Sequence, residues 1–547
     1  MHPTRLPLAL ALALLPACLI PGQAPALEQP ADPSAFLAEL ERSGLLEGDS
    51  LELERVLFGD ELEAPEPLDR AARAQAAAAL PRLFTIDLPA GDVGSINVGW
   101  IGKNGAAMNF DPEEWLAQGY KGVKFRGQGV DVTHVRCTSW DGNTITVGRR
   151  RLIVRFEQLT LHAGSSRGLF FGEQNQGRAR VPGFRVELAD VRAVVDEPGE
   201  YFQREGKFHW TSGTGYRVSE TVTATLEGVA SSFRVTAATP IGVREQPVDQ
   251  PDGQIRALEL VQRGHYARPP PYQALPTSTN GSGTGTTITL GHRPTWLLFA
   301  YNADLLARRC TFNAREAVEH ASYWHGFSEA GALVVDCDFE GSGAEGFKVR
   351  SDASETAWAG PNQWIILRDC TFRDWFQPWS WRGGAAIVLQ GTGAHVLVER
   401  CTFWGGLPVG PLTGKDRCKA VMVSSEGGSY DQETGAVGTG FGNGWVVVRD
   451  CYAWGTSEVD WSNTIARVGR NGGTQRAARG FLLERSGLFG PKMIVQMGDV
   501  PSGMAVIRDC NGAAQIAYAT GIGMPTSPEA TFPTSSRRVP LSEGIRR

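Results

Sequence analysis

Six segments of this chain converge on one pattern: a short aliphatic run, one or two charged residues, then a cysteine. They are residues 304–310, 333–337, 365–370, 396–401, 446–451 and 505–510, ending on Cys310, Cys337, Cys370, Cys401, Cys451 and Cys510. In the first four a phenylalanine follows two residues later, and a seventh segment, 481–486, ends on Ser486 instead. Successive anchors lie 27, 33, 31, 50, 35 and 24 residues apart. Most are trailed by a second apolar segment, at 346–350, 386–390, 420–424, 464–468 and 493–496. Units this short cannot bury their apolar side chains alone. They must stack, at roughly 4.8 Å per layer, so that neighbours complete both the backbone hydrogen bonds and the core.

The pattern resembles the right-handed parallel β-helix of the pectate lyase-like superfamily, closely over residues 296–520 and loosely over 120–200. The resemblance implies an all-β fold: a right-handed parallel β-helix, or solenoid, with a short helical N-terminal region and a β-rich insertion. Earlier layers are read at 152–159, 168–171 and 135–138. The expected divisions are a signal peptide at 1–26 and an acidic, helical region or linker at 27–82. The first coils and an N-terminal cap follow at 83–200. A β-hairpin insertion with a Pro/Gly/Ser-rich loop occupies 201–290, the main helix 291–525 and a tail 526–547. In the acidic region Ser34 suits a helix N-cap, and 70–80 reads as a second helical run.

The N-terminus reads as an export signal, with Arg5 ahead of an apolar stretch at 6–20 that is too short to span a bilayer. Ala24-Pro25-Ala26 offers a cleavage site for soluble secretion, the favoured outcome. Residues 15–18 instead resemble a lipoprotein box, in which Cys18 becomes a lipid anchor. The expected location is therefore secreted or periplasmic, with an outer-membrane or cell-surface lipoprotein as the alternative and no membrane span. A net charge of −6 over 547 residues argues against a nucleic-acid partner. Nine cysteines in an exported chain raise the question of disulfides. Six of them share one repeat position, however, and read as small buried hydrophobes.

The resemblance also implies where chemistry sits: on an exposed strand face and its adjoining loops, along which an extended polysaccharide binds. In the trailing segments, alternation sends Lys348, Arg350, Gln390, Ser424 and Gln496 outward, and stacking aligns Arg350, Gln390 and Ser424. Polysaccharide lyases remove the proton beside a uronate carboxylate with a basic side chain, a role that Lys348 and Arg350 suit in type. A solvated strand face is the plain alternative. Just upstream, His320, Tyr323 and His325 are acid–base candidates and Trp324 a sugar-stacking one. The turn at 375–382 adds Trp375, Trp379, Trp381 and Arg382, an aromatic platform suited to a sugar chain with acidic groups, and Gln390 completes the binding set.

The carboxylates point elsewhere. Asp336 and Asp338 share a face, but the position before the cysteine is Asp in four layers and Arg in others, which reads as a charge column on the outer wall. The paired-Asp and Gly-His-Gly motifs of polygalacturonase-like hydrolases are absent. So is the clustered Asp set with which pectate lyases hold calcium, and the spacing of His320 and His325 is weak ground for zinc. No cofactor is expected, with calcium as the alternative that no clear ligand cluster supports. The reading is a lyase-like enzyme that cleaves an acidic polysaccharide by β-elimination. A non-catalytic polysaccharide-binding or surface module and a glycoside hydrolase are the alternatives, and oligomeric state is left open.

Overall fold

The structure is a computed structural model. It describes residues 82–99, 108–136, 144–148, 151–163, 169–171, 183–195, 201–239, 241, 252–266, 274–293, 296–314, 320–328, 330–342, 345–350, 364–374, 385–390, 394–404, 420–427, 443–454, 463–470, 478–489, 493–497, 505–510 and 514–518. Within these residues the chain is all-β apart from the helix Pro112–Ala117. Asp111 caps that helix, its carboxylate accepting from the Glu113 N–H, and Pro112 opens it where no backbone donor is needed. The region 27–82, read as helical, lies outside the described residues except for Arg82.

Two large parallel sheets carry the architecture, one of 19 described strands and one of 12, and a seven-stranded antiparallel sheet spans 201–293. In the 19-stranded sheet the anchor strands pair in parallel, each with its counterpart in the next layer. The order is Asp304–Arg308, Gly331–Val335, Trp364–Arg368, His395–Glu399, Asn443–Arg449, Ala478–Glu484 and Ala505–Arg508. The short strands after the cysteines form a second run in the same sheet, with Thr311, Asp338, Thr371, Thr402, Tyr452 and Gly487 in register. The trailing segments build the 12-stranded sheet. There His320–His325 pairs with Glu345–Arg350, followed by Ala385–Gln390, Ala420–Gly427, Asn463–Arg470 and Met493–Met497. The expectation of an all-β chain with long parallel sheets holds.

One residue per layer makes the corner between the two runs. The residue before each anchor lies in the left-handed region, with φ of +49° at Arg309, +52° at Asp336, +54° at Asp369, +50° at Arg400, +52° at Asp450, +45° at Arg485 and +53° at Asp509. Gln158 and Asp190 make the same bend inside the long strands Ile153–Ala163 and Arg185–Val195. Aspartate tolerates this conformation better than most residues because its short side chain bonds locally. Where an arginine follows an aspartate one layer on, the two pair bidentately. These pairs are Arg309 with Asp190 (2.7 and 2.8 Å), Arg400 with Asp369 (2.7 and 2.7 Å) and Arg485 with Asp450 (2.8 and 2.7 Å). The hydrogen bond from Arg309 holds the Asp190 carboxyl below its ordinary range. All three pairs are half-exposed, so each contributes about 1 kcal/mol at most.

Past the corner the chain turns inward. Cys310, Cys337, Cys370, Cys401 and Cys451 are buried free thiols. Each donates to the carbonyl two residues back, as Cys370 Sγ does to Arg368 O at 3.2 Å. Ser486 Oγ makes the same bond to Glu484 O at 2.9 Å, which explains how serine replaces cysteine there. The following phenylalanines stack through the core: Phe312 on Phe339 at 4.7 Å, Phe339 on Phe372 at 4.8 Å, and Phe372 on Phe403 at 5.1 Å, all within 10° of parallel. That spacing is the inter-strand distance itself.

On the anchor strands, Ile365 and Leu367 join the core, and Ile366 and Arg368 therefore face the other way. Both are buried nonetheless. Arg368 heads a ladder of alternating charge, in register with Glu399, Arg449, Glu484 and Arg508. Arg368 Nε lies 2.6 Å from Glu399 Oε2, with both side chains only 1% exposed, and Arg449 contacts the other oxygen of Glu399. Burial lowers the Arg368 pKa from its usual value, against the opposing pull of Glu399. Among the described residues no helix is long and apolar enough to cross a membrane.

Candidate functional site

The 12-stranded sheet has one face on the core, formed by Leu298, Trp324, Val349 and Leu389. Alternation puts Phe299, Tyr323, Lys348 and Val388 on the opposite face, and register aligns them in that order. Two positions further along each strand, Tyr301, His325, Arg350, Gln390 and Glu426 form a second row. His320 pairs with Glu345 on the near side. Adjacent parallel strands lie about 4.8 Å apart. Of the residues singled out in the sequence, Tyr323, Lys348, Arg350 and Gln390 thus share one face of three neighbouring strands, with His325 at the register position beside Arg350 and His320 at the one beside Glu345.

Their environments differ. Lys348, expected on a solvated strand, is 2% exposed. Its Nζ sits 3.1 Å from Glu345 Oε1 and 5.3 Å from the centre of the Tyr323 ring. Covering this face goes with clamping Lys348 between the Glu345 carboxylate and the Tyr323 ring, because an unpaired ammonium is too costly to bury. Tyr323 belongs to an aromatic cluster with Phe170 and Phe299, edge-on to Phe299 at 5.0 Å, and Trp296 and Tyr301 pack against them. Arg350 and Gln390 are half-buried, at the accessible end of the strands.

Two expectations are corrected. Trp324 is fully buried in the main core beside Phe327, its indole N–H donating to Ser322 Oγ at 2.6 Å, so no ring face is left to stack on a sugar. Ser424 does not follow Gln390: it aligns with Val388, and Glu426 takes the position beside Gln390. Gln496 belongs to the row of Ser424 through Arg467. Trp375, Trp379, Trp381 and Arg382 lie outside the described residues.

The face offers a guanidinium for an anionic group, an amide for a hydroxyl, and imidazole and phenol positions one strand away for proton transfer. Sequence reasoning missed the acidic members, Glu345 and Glu426, which become visible only in register. It also missed a second histidine pair. His134 Nδ1 and His162 Nε2 are 3.1 Å apart, 28 residues apart in the chain, with Arg136 at 3.4 Å from the other His162 nitrogen. Among the described residues no group of three or more His, Cys, Asp or Glu stands where it could hold a metal ion.

No protein-family model matches the chain, and no curated protein matches it at a significant level. One solved structure similar to it is named "Glycoside hydrolase". The two chains are 10% identical, and the match covers 78% of this chain and 95% of that one with a TM-score of 0.24. A likeness this weak carries no argument about activity.

Proposed function

We propose that the two parallel sheets are walls of a right-handed parallel β-helix, and that the chain is an exported, lyase-type protein acting on an acidic polysaccharide. The observation that supports this most is the register setting His325 beside Arg350 and Tyr323 beside Lys348 on one outer face. A sugar unit lies along the half-buried row of Arg350 and Gln390, at the edge of the covered row of Tyr323 and Lys348. Arg350 meets the uronate carboxylate and holds its charge, while Gln390 accepts or donates at a hydroxyl. His325 takes the proton beside the carboxylate. The electron pair left behind forms the new double bond as the glycosidic C–O bond breaks, and the departing oxygen takes a proton from Tyr323. Lys348 positions Tyr323 through the ring contact, since its ammonium is already held by Glu345.

The test is absorbance at the unsaturated-uronate band while the mature protein is incubated with pectate, alginate and glycosaminoglycans. A rise abolished in Arg350→Ala and reduced at least about a hundredfold in His325→Ala sustains the mechanism, matching the usual worth of a general base. No rise, with binding retained, moves the protein to the non-catalytic binding class. The clamped Lys348 and the aromatic cluster at Phe170, Phe299 and Tyr323 favour that second reading.

A further inference from the structure

The 19-stranded sheet has an outer face that the lyase reading does not use. In the short strands after the anchors, the middle residue enters the core, as Phe372, Phe403 and Ala453 do. Alternation assigns the flanking positions to the outer face. One flanking row holds Thr371, Thr402 and Tyr452, and the other holds Arg373, Trp404, Trp454 and Phe489, each in register with the next. Three aromatic positions thus fall on three consecutive strands, about 4.8 Å apart. Trp404 is 46% exposed and Arg373 is exposed beside it. Burial of apolar surface does not explain a tryptophan so open to water, since the core position of the same strand is already filled by Phe403.

The surroundings are polar. Asp374, bent at φ +48°, donates its backbone N–H to Trp404 O at 3.3 Å. Burial raises its carboxyl above the ordinary aspartate value, against the pull of Arg373. Beyond Arg373 the same row continues as Glu340 and Asn313, which hydrogen-bond each other at 3.2 Å. The row of Arg373 and Trp404 is rimmed on one side by the hydroxyl-bearing row of Thr371, Thr402 and Tyr452. A broad protein interface does not match that shape. A sugar chain does, because a pyranose sets its C–H face on an aromatic ring and its hydroxyls toward a polar rim. One layer is also close to the length of one sugar ring in a polysaccharide.

We propose that Trp404 and Arg373 anchor a binding row for an acidic polysaccharide lying along the stacking direction, with a sugar ring on Trp404, Arg373 meeting a carboxylate at one end, and the row continuing in register through positions 454 and 489. This row is on a different sheet from Arg350, so its failure leaves the lyase reading standing, and the reverse. The experiment is calorimetric titration of the full mature chain with hexamers of galacturonate and mannuronate and with cellohexaose, repeated in Arg350→Ala to silence the other face. Trp404→Ala is expected to weaken the best-bound hexamer about five- to tenfold, the scale of one lost stacking contact, while Trp404→Phe keeps most of the affinity. Arg373→Ala weakens the uronate hexamers and leaves cellohexaose unchanged. Circular dichroism of each variant confirms the fold. Unchanged affinity in Trp404→Ala, or no binding of any hexamer to the unmutated row, overturns the proposal.

Discussion

Replacing Glu399 by glutamine tests the buried charge ladder most sharply. The substitution keeps size and shape but removes the charge that Arg368 and Arg449 share. Arg368 is 1% exposed, so the variant leaves its buried guanidinium without the carboxylate that pairs it at 2.6 Å. Breaking one side of such a pair costs about 3–5 kcal/mol. Arg449, at 10% exposure, recovers part of its hydration, and Arg400, half-exposed at 3.2 Å, recovers nearly all of it. Arg368 therefore supplies most of the loss. The double variant Arg368→Met with Glu399→Leu removes both charges and fills the space with apolar atoms, and it should lie within about 1 kcal/mol of the parent or above it. Urea unfolding read by tryptophan fluorescence and by circular dichroism measures both, the two probes being needed because stacked architectures often unfold in more than one step. A Glu399→Gln loss under about 1 kcal/mol, or a double variant weaker than the single one, refutes the reasoning.

Glu187 gives a pH test: burial pushes its carboxyl up, but Arg155 (2.6 Å) and Arg185 (3.2 Å) leave it below its ordinary value. Its stabilisation is present above the ordinary carboxylate range and lost as pH falls through the lowered value. The free-energy gap between parent and Glu187→Gln should then hold at neutral pH and shrink below about pH 4, and a gap that widens in acid contradicts this. Burial pushes the Cys337, Cys370 and Cys451 thiols up, so iodoacetamide at pH 8 should modify them only after denaturation, as mass spectrometry reports. Cys370→Ser should cost about 1 kcal/mol, because Ser486 shows the bond a hydroxyl makes at that position, and a loss above about 3 kcal/mol sinks the comparison. Lys348→Met should destabilise by about 3 kcal/mol by stranding Glu345, with Lys348→Met/Glu345→Gln recovering much of it in the same assay.

The layered strands were legible because cysteine, phenylalanine and the aliphatic runs recur at positions that local alternation sorts into in and out. The corner was half legible. An Asp or Arg before each cysteine was visible as a charge column, but not as a left-handed bend, since φ leaves no trace in side-chain polarity. Ser424 was misplaced by two residues, a slip that preserves the alternation of faces and so escapes any hydrophobic pattern. The burial of Lys348 was hidden for a different reason: alternation tells which face a residue takes, not what covers that face. Pairs such as His134 with His162, and rows such as Trp404 with Trp454, emerge only from register between segments separated by variable lengths.

Thr402 and Tyr452 are direct partners although 50 residues separate them, whereas the other anchors from Cys310 to Cys510 lie 24 to 35 residues apart. The pinned corner residue keeps pitch independent of how much chain each layer spends between corners. Such a body can gain or shed long stretches of sequence at one layer while every neighbour stays aligned. Foreign segments spliced between Trp404 and Asn443 therefore meet a frame that measures layers, not residues.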